Sequence, residues 1–180
     1  MDISKAELAI EKAGVGLQKY LNIMSMLNNV DVSEDLEFQT KYNGFYRMRQ
    51  RKAEFYEEYY NYLEANKSKR VSFDEVLTHF YNKFNRIEAS FCSKLAATID
   101  TNLPIWDVFV PQKLGLKKLP QYCKDRLEKT IGLYTNMQKW YSNFMATGDG
   151  KNIIAMFNRK YPDVAVSDIK KVDLALWQMR

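Results

Sequence analysis

The chain has 180 residues, 46% hydrophobic and 27% charged, enough for one core of ordinary size in a water-soluble globular chain. Its net charge of +5 favours a polyanionic partner without requiring one. Seven Gly and four Pro are too few for an all-β chain of many tight turns, no stretch approaches the roughly 20 apolar residues of a membrane span, and residues 1–10 lack a signal-peptide core, so a cytoplasmic chain with no membrane association is expected.

Apolar residues recur at helical spacing almost throughout, which predicts an all-α chain. Ser4 and Glu7 read as a capping box that opens a first helix over residues 5–27, with Ile10, Leu17, Tyr20, Leu21, Met24 and Leu27 on one face. The run Ala13-Gly14-Val15-Gly16 predicts a kink or short break in it. After a loop at 28–35, a second helix is predicted over 42–65, carrying Phe45, Met48, Phe55, Tyr59 and Leu63 along one side and Arg47, Arg49, Arg51 and Lys52 near its start. Its aromatic crowding at Phe55, Tyr56, Tyr59, Tyr60 and Tyr62 suits either core packing or a base-stacking face.

Ser72 and Glu75 cap a third helix through Val76, Leu77, Phe80, Tyr81 and Phe84, and a fourth carries Ile87, Phe91, Leu95 and Thr98. Pro104 marks a boundary before a short element starting at Ile105, which Pro111 ends or bends. The stripe Cys123, Leu127, Ile131, Tyr134, Met137, Tyr141 and Phe144 predicts a central scaffold helix over 119–145. A turn at 147–150, a short helix over 153–160 and a last helix begun by Ser167 complete the reading. The whole, residues 1–180, reads as one all-α domain, with 1–30 at most a helical appendage and a helix-loop-helix within 73–110.

Cys92 and Cys123 have no CxxC spacing and read as a reduced pair, and His79 is the sole histidine. A zinc site or a histidine-based triad would draw on nearly all of these from distant places, so no metal is expected. No nucleotide-binding loop is present, and no cofactor is expected. Catalysis, if any, falls to Lys, Asp, Glu, Tyr or Ser.

The run Ser93-Lys94-Leu95-Ala96-Ala97-Thr98, followed by Pro104-Ile105-Trp106-Asp107-Val108-Phe109-Val110, resembles the lysine-to-aspartate segment of helix-hairpin-helix DNA glycosylases. It is most similar to a compact 8-oxoguanine-glycosylase-like branch. Segments at 43–49 and 169–177 also resemble small members of that branch. The resemblance implies a single-domain helical bundle of that fold, with Lys94 as amine nucleophile and Asp107 as active-site carboxylate. The implied activity is removal of a modified or oxidised base from DNA, with or without a lyase step.

The chemistry suits those residue types. Departure of a base builds positive charge on the deoxyribose, which a carboxylate stabilises, and an amine of lowered pKa then attacks the anomeric carbon. A base in duplex DNA has to be flipped into a pocket with apolar or aromatic walls. Trp106, Phe109, Tyr56 and Tyr59 are candidate walls, and Arg47, Arg49, Lys67, Lys69, Arg70 and Ser93 are candidate phosphate contacts. Residues 89–93 contain no glycine, so phosphate is gripped otherwise than by a Gly-x-Gly hairpin. The expected partner is double-stranded DNA carrying a modified base, met by a monomer. Two other readings stay open: a DNA-binding protein on the same fold without turnover, and a helical adaptor for a protein partner. For the two residues themselves the structural alternatives are an ordinary surface lysine at Lys94 and the N-cap of its short helix at Asp107.

Overall fold

Residues 3–107, 119–120 and 123–179 are described by the computed structural model, and every regular element among them is helical. In chain order these are α1 (Ile3–Leu27), α2 (Leu36–Tyr46), α3 (Ala53–Asn66), α4 (Phe73–Phe84), α5 (Ala89–Ile99), α6 (Arg126–Ala146), α7 (Gly148–Lys160) and α8 (Asp168–Gln178). None of these helices is long and apolar enough to cross a membrane.

Helix α1 pairs with α8 and also packs against α2 and α7; α4 packs on α5 and α6, and α3 on α5. One hydrophobic cluster runs through all of them. Ala6, Ile10, Ala13, Leu17 and Ile23 bring α1 into that cluster, so the first helix is part of the core and not an appendage. The most enclosed element is α5, whose Phe91, Cys92, Ser93, Leu95, Ala96, Ala97 and Thr98 are all buried. Helix α6, expected as the central scaffold, buries only the stripe Thr130, Tyr134, Met137 and Tyr141. It starts at Arg126 after Asp125 in the left-handed region (φ 55°), so Cys123 lies ahead of it.

Local capping chemistry fixes several ends. At α4 the Ser72 hydroxyl accepts from the Glu75 N–H at 3.4 Å, while the Glu75 carboxylate accepts from the Ser72 N–H at 2.7 Å. This is the capping box the sequence predicts, an arrangement of about 1 kcal/mol. Ser167 likewise caps α8 by accepting from the Lys170 N–H at 3.2 Å. At α1 the helix already begins at Ile3, so Ser4 and Glu7 lie inside it.

Four expectations are corrected by packing. Helix α1 runs unbroken through Gly14 and Gly16. Gly14 is there because a Cβ would stand 2.8 Å from the Tyr161 hydroxyl oxygen, and that hydroxyl donates to the Ile10 carbonyl at 3.0 Å. The glycine marks a close helix approach, not a kink. The helix predicted over 42–65 is two helices, α2 and α3. Between them Arg47 (φ 52°) and Gln50 (φ 63°) adopt left-handed conformations, each costing about 1–2 kcal/mol for a residue with a Cβ. The turn expected at 147–150 is a helix junction: Thr147 ends α6 and caps α7, its hydroxyl accepting from the Gly150 N–H at 3.1 Å. A Cβ on Gly150 would lie 2.1 Å from the Phe144 carbonyl oxygen, so the glycine serves that junction. The short helix over 153–160 is the later part of α7.

Candidate functional site

Lys94 sits in the middle of α5, on a helix whose other faces are buried. The chain leaves α5 through residues 100–103 and returns to it as the irregular segment 104–107. Three hydrogen bonds tie that segment to other elements and a fourth closes a turn within it. The Tyr134 hydroxyl donates to the Pro104 carbonyl at 2.7 Å. The Ile105 N–H donates to Asp173 Oδ2 of α8 at 3.3 Å. Ser93 Oγ accepts from the Trp106 N–H at 2.9 Å, and the Asp107 N–H donates to the Ile105 carbonyl at 3.0 Å. Each contributes about 0.5–1.5 kcal/mol.

The Ser93–Trp106 bond joins the residues that immediately precede Lys94 and Asp107, and the Asp107 carboxylate is near enough for its charge to act on the lysine. Tyr134 stacks on Phe73 at 3.8 Å, and Trp106 lies beside this pair, its ring 6° from parallel to that of Tyr134 with centroids 6.5 Å apart. One turn further along α5, the Thr98 hydroxyl donates to the Lys94 carbonyl at 2.7 Å. The Tyr42 hydroxyl lies 3.0 Å from that of Thr98.

Electrostatics separate Lys94 from an ordinary lysine. Burial pulls its pKa below the usual lysine value; the nearby Asp107 carboxylate opposes this and the Arg51 guanidinium adds to it. The direction suits an amine that has to be neutral to act. Beneath the segment, burial raises the pKa of Asp173, partly offset by the Lys170 charge and by the hydrogen bond from the Tyr141 hydroxyl. Burial lowers that of Lys170, whose ammonium lies 4.5 Å from the Tyr20 ring centroid.

Of the residues singled out in the sequence, Lys94, Trp106 and Asp107 therefore come together. Phe109 lies outside the described residues, as does the remainder of the short element begun at Ile105. Tyr56 is half-buried and meets the Phe55 ring edge-on at 6.2 Å. Tyr59 is corrected: it is wholly buried, its hydroxyl donating to the Phe91 carbonyl at 3.1 Å, so it walls the core and no open pocket. Ser93 is corrected as well, because it is buried and its hydroxyl is spent on the Ser90 carbonyl and the Trp106 N–H. Lys67 pairs with Glu64 at 2.7 Å and donates to the Val30 carbonyl at 2.8 Å, so its charge ties a loop to α3. Arg47, Arg49, Lys69 and Arg70 are exposed, and the Arg47 guanidinium lies over the Trp177 ring at 5.1 Å.

Sequence reasoning missed Asp173 and the site role of Arg51. An aspartate between the buried Val172 and Leu174 of α8 is a signal of an internal partner; Arg51 had none beyond its basic neighbours. Among the described residues no group of His, Cys, Asp and Glu is arranged to hold a metal ion. Surface grooves between α1 and α2, past Gln18, Asn22 and Phe45, and between α1 and α7, past Glu7 and Lys160, include neither Lys94 nor Asp107. Compared with protein-family models, curated proteins and solved structures, the chain matches none.

Proposed function

We propose that the chain is a DNA glycosylase that removes a modified base, with Lys94 as the nucleophile and Asp107 as the carboxylate that stabilises the sugar cation. The observation that carries the reading is the Ser93–Trp106 hydrogen bond of 2.9 Å, which holds a lysine of lowered pKa beside an aspartate on a clamped segment. The resemblance to the compact 8-oxoguanine-glycosylase-like branch of helix-hairpin-helix enzymes supports the same assignment. So does the pair α4 and α5, joined by a short connection in which Asn85 takes a left-handed conformation (φ 50°).

In this mechanism the glycosidic C1′–N bond breaks and its electron pair leaves with the base, which takes up a proton. Asp107 offsets the positive charge that spreads over C1′ and the ring oxygen. The neutral Lys94 amine forms the new C1′–N bond and sheds a proton to the leaving base or to water. Opening of the sugar ring at the C1′–O bond then gives an iminium ion between Lys94 and the sugar. Trp106, half-exposed beside Asp107, offers an aromatic face to a flipped base. Arg47, Arg49, Lys69 and Arg70 supply exposed positive charge for phosphates.

Borohydride reduction of the iminium turns the intermediate into a stable protein–DNA adduct, which is the test. Duplexes bearing 8-oxoguanine, uracil, an abasic site or a hypermodified cytosine are offered to the protein and to Lys94→Gln. An adduct that forms with the natural chain and is lost in Lys94→Gln is expected, and the most reactive duplex names the substrate class. Absence of an adduct on all four, or equal trapping by Lys94→Gln, refutes the assignment of Lys94.

A further inference from the structure

The turn between α2 and α3 holds two left-handed residues without being glycine at either, Arg47 and Gln50, and such conformations persist only where surrounding contacts impose them. Here the turn delivers Arg51 onto α5. One Arg51 nitrogen donates to the carbonyl of the left-handed Gln50 at 2.9 Å, and another to Glu88 at 2.7 Å. Glu88 is buried and precedes the first residue of α5. The guanidinium lies over the Phe91 ring at 4.5 Å. On that same ring, at 5.2 Å from its centroid, sits the Lys94 ammonium.

Glu88, Phe91 and Lys94 are spaced three apart and form one ridge of the helix. Arg51 lies across the middle of the ridge, paired with the anion at one end and facing the cation at the other. Placing two like charges on one buried ring disfavours both being charged, and a guanidinium does not give up its proton. The lysine is therefore the member that yields.

We propose that Arg51 acts on Lys94 through this shared ring: anchored by Glu88, its fixed positive charge disfavours a second cation there and so adds to the burial that favours the neutral amine a nucleophile needs. The inference rests on the assignment of Lys94 under the proposed function and extends it to a positioning residue that does not touch DNA chemistry itself. Among the described residues, the other titratable and charged groups on the neighbouring elements are as follows. Asp107 faces it from the 104–107 segment and favours its charged form. From α3 comes the Tyr59 hydroxyl, donated to the Phe91 carbonyl. Helix α4 directs His79 and Lys83 at Glu58 of α3. Arg86, in the α4–α5 connection, approaches Glu88 at 3.4 Å, and Asp173 of α8 faces Lys170 and Asp107.

The test follows the Lys94 side chain directly. In protein labelled with carbon-13 at lysine Cε, the Lys94 resonance is assigned by its absence in Lys94→Gln and titrated in the natural chain, Arg51→Met and Arg51→Lys. Its midpoint is expected to move to higher pH in Arg51→Met and to stay near the natural value in Arg51→Lys. Because Arg51→Met leaves Glu88 buried against Arg86 alone, the double variant Arg51→Met/Glu88→Gln removes both charges of the pair and carries the measurement if the single variant unfolds. Borohydride trapping, measured against pH, is expected to fall at least about threefold at neutral pH in Arg51→Met, since each pKa unit is a factor of ten in neutral amine. An unmoved Lys94 midpoint in both charge-removing variants overturns the proposal even if the natural chain traps DNA. A midpoint that moves in a chain that traps no DNA upholds the action of Arg51 on Lys94 and refutes the glycosylase reading instead.

Discussion

Replacing Ser93 with alanine tests whether the 104–107 segment is held as described. The serine is fully buried and its hydroxyl is the acceptor for the Trp106 N–H at 2.9 Å. Alanine removes that acceptor and offers no substitute, so an amide on a half-buried segment loses its partner. Leaving such a donor unpaired costs about 1–3 kcal/mol. Against this stands the better helix propensity of alanine in α5, a gain of about 0.5 kcal/mol. The Ser90 carbonyl, which the hydroxyl also contacts at 3.0 Å, lies in the helix and loses little. A net loss of roughly 0.5–2.5 kcal/mol follows, which for a chain of this size lowers Tm by about 1–10 °C. Urea and thermal unfolding read the stability, and hydrogen exchange of the Trp106 amide reads the bond itself. If Ser93→Ala melts within about 1 °C of the natural chain, the reasoning from the unpaired donor fails. If its Trp106 amide exchanges no faster, the bond does not hold the segment.

Two further outcomes are expected. At Gly14 a Cβ would meet the Tyr161 hydroxyl at 2.8 Å, whereas at Gly16 the nearest atom is a Leu174 methyl at 4.0 Å. Gly16→Ala is therefore expected to stabilise by about 0.5–1 kcal/mol through helix propensity, while Gly14→Ala displaces the Tyr161–Ile10 hydrogen bond and forfeits that gain; equal melting temperatures would count against the packing described. The second concerns alkaline pH. Burial raises the phenol of Tyr20 from 10.0 to about 12, and pushes those of Tyr42, Tyr59 and Tyr141 up as well. A folded-state pKa above the unfolded one contributes stability that is fully present below pH 10 and lost as pH rises through the folded value. Tyrosinate absorbance of the buried phenols is expected to appear together with loss of helix above pH 10, and its appearance in a still-helical chain would show the phenols to be open to solvent.

The fold was legible wherever a local rule decided it. Periodic stripes mark α4, α5 and α8, and the serines at 72 and 167 start two of them because their hydroxyls serve N–H groups three residues on. Legibility failed where tertiary contacts overrode local preference. Nothing in the residue types at Arg47 and Gln50 announces a left-handed turn, since neither is Gly or Asn, and so α2 and α3 read as one helix. Conversely, the glycines at 14 and 150 look like breaks but answer to neighbours, the Tyr161 hydroxyl and the Phe144 carbonyl. A glycine selected for absence of a Cβ and one selected for a positive φ are identical in sequence.

The same distinction governs the candidate site. Lys94 and Asp107 are visible as chemistry-bearing residues, but what clamps the aspartate's segment comes from Tyr134 on α6 and from Asp173, 68 positions beyond Ile105, and no local pattern joins them. Among aromatics, helical phase divides Tyr59, sealed in the core, from the half-exposed Tyr56, and the stripe of Phe55, Tyr59 and Leu63 read from the sequence is the one that α3 buries. Ser93 carries a signal that points inward, away from DNA. It stands between Cys92 and Lys94, with Phe91, Leu95 and Ala96 close by on a helix that buries nearly everything. A hydroxyl in that company is kept where it completes a hydrogen bond inside the protein, and its acceptor position is what brings the segment bearing Trp106 and Asp107 back onto α5.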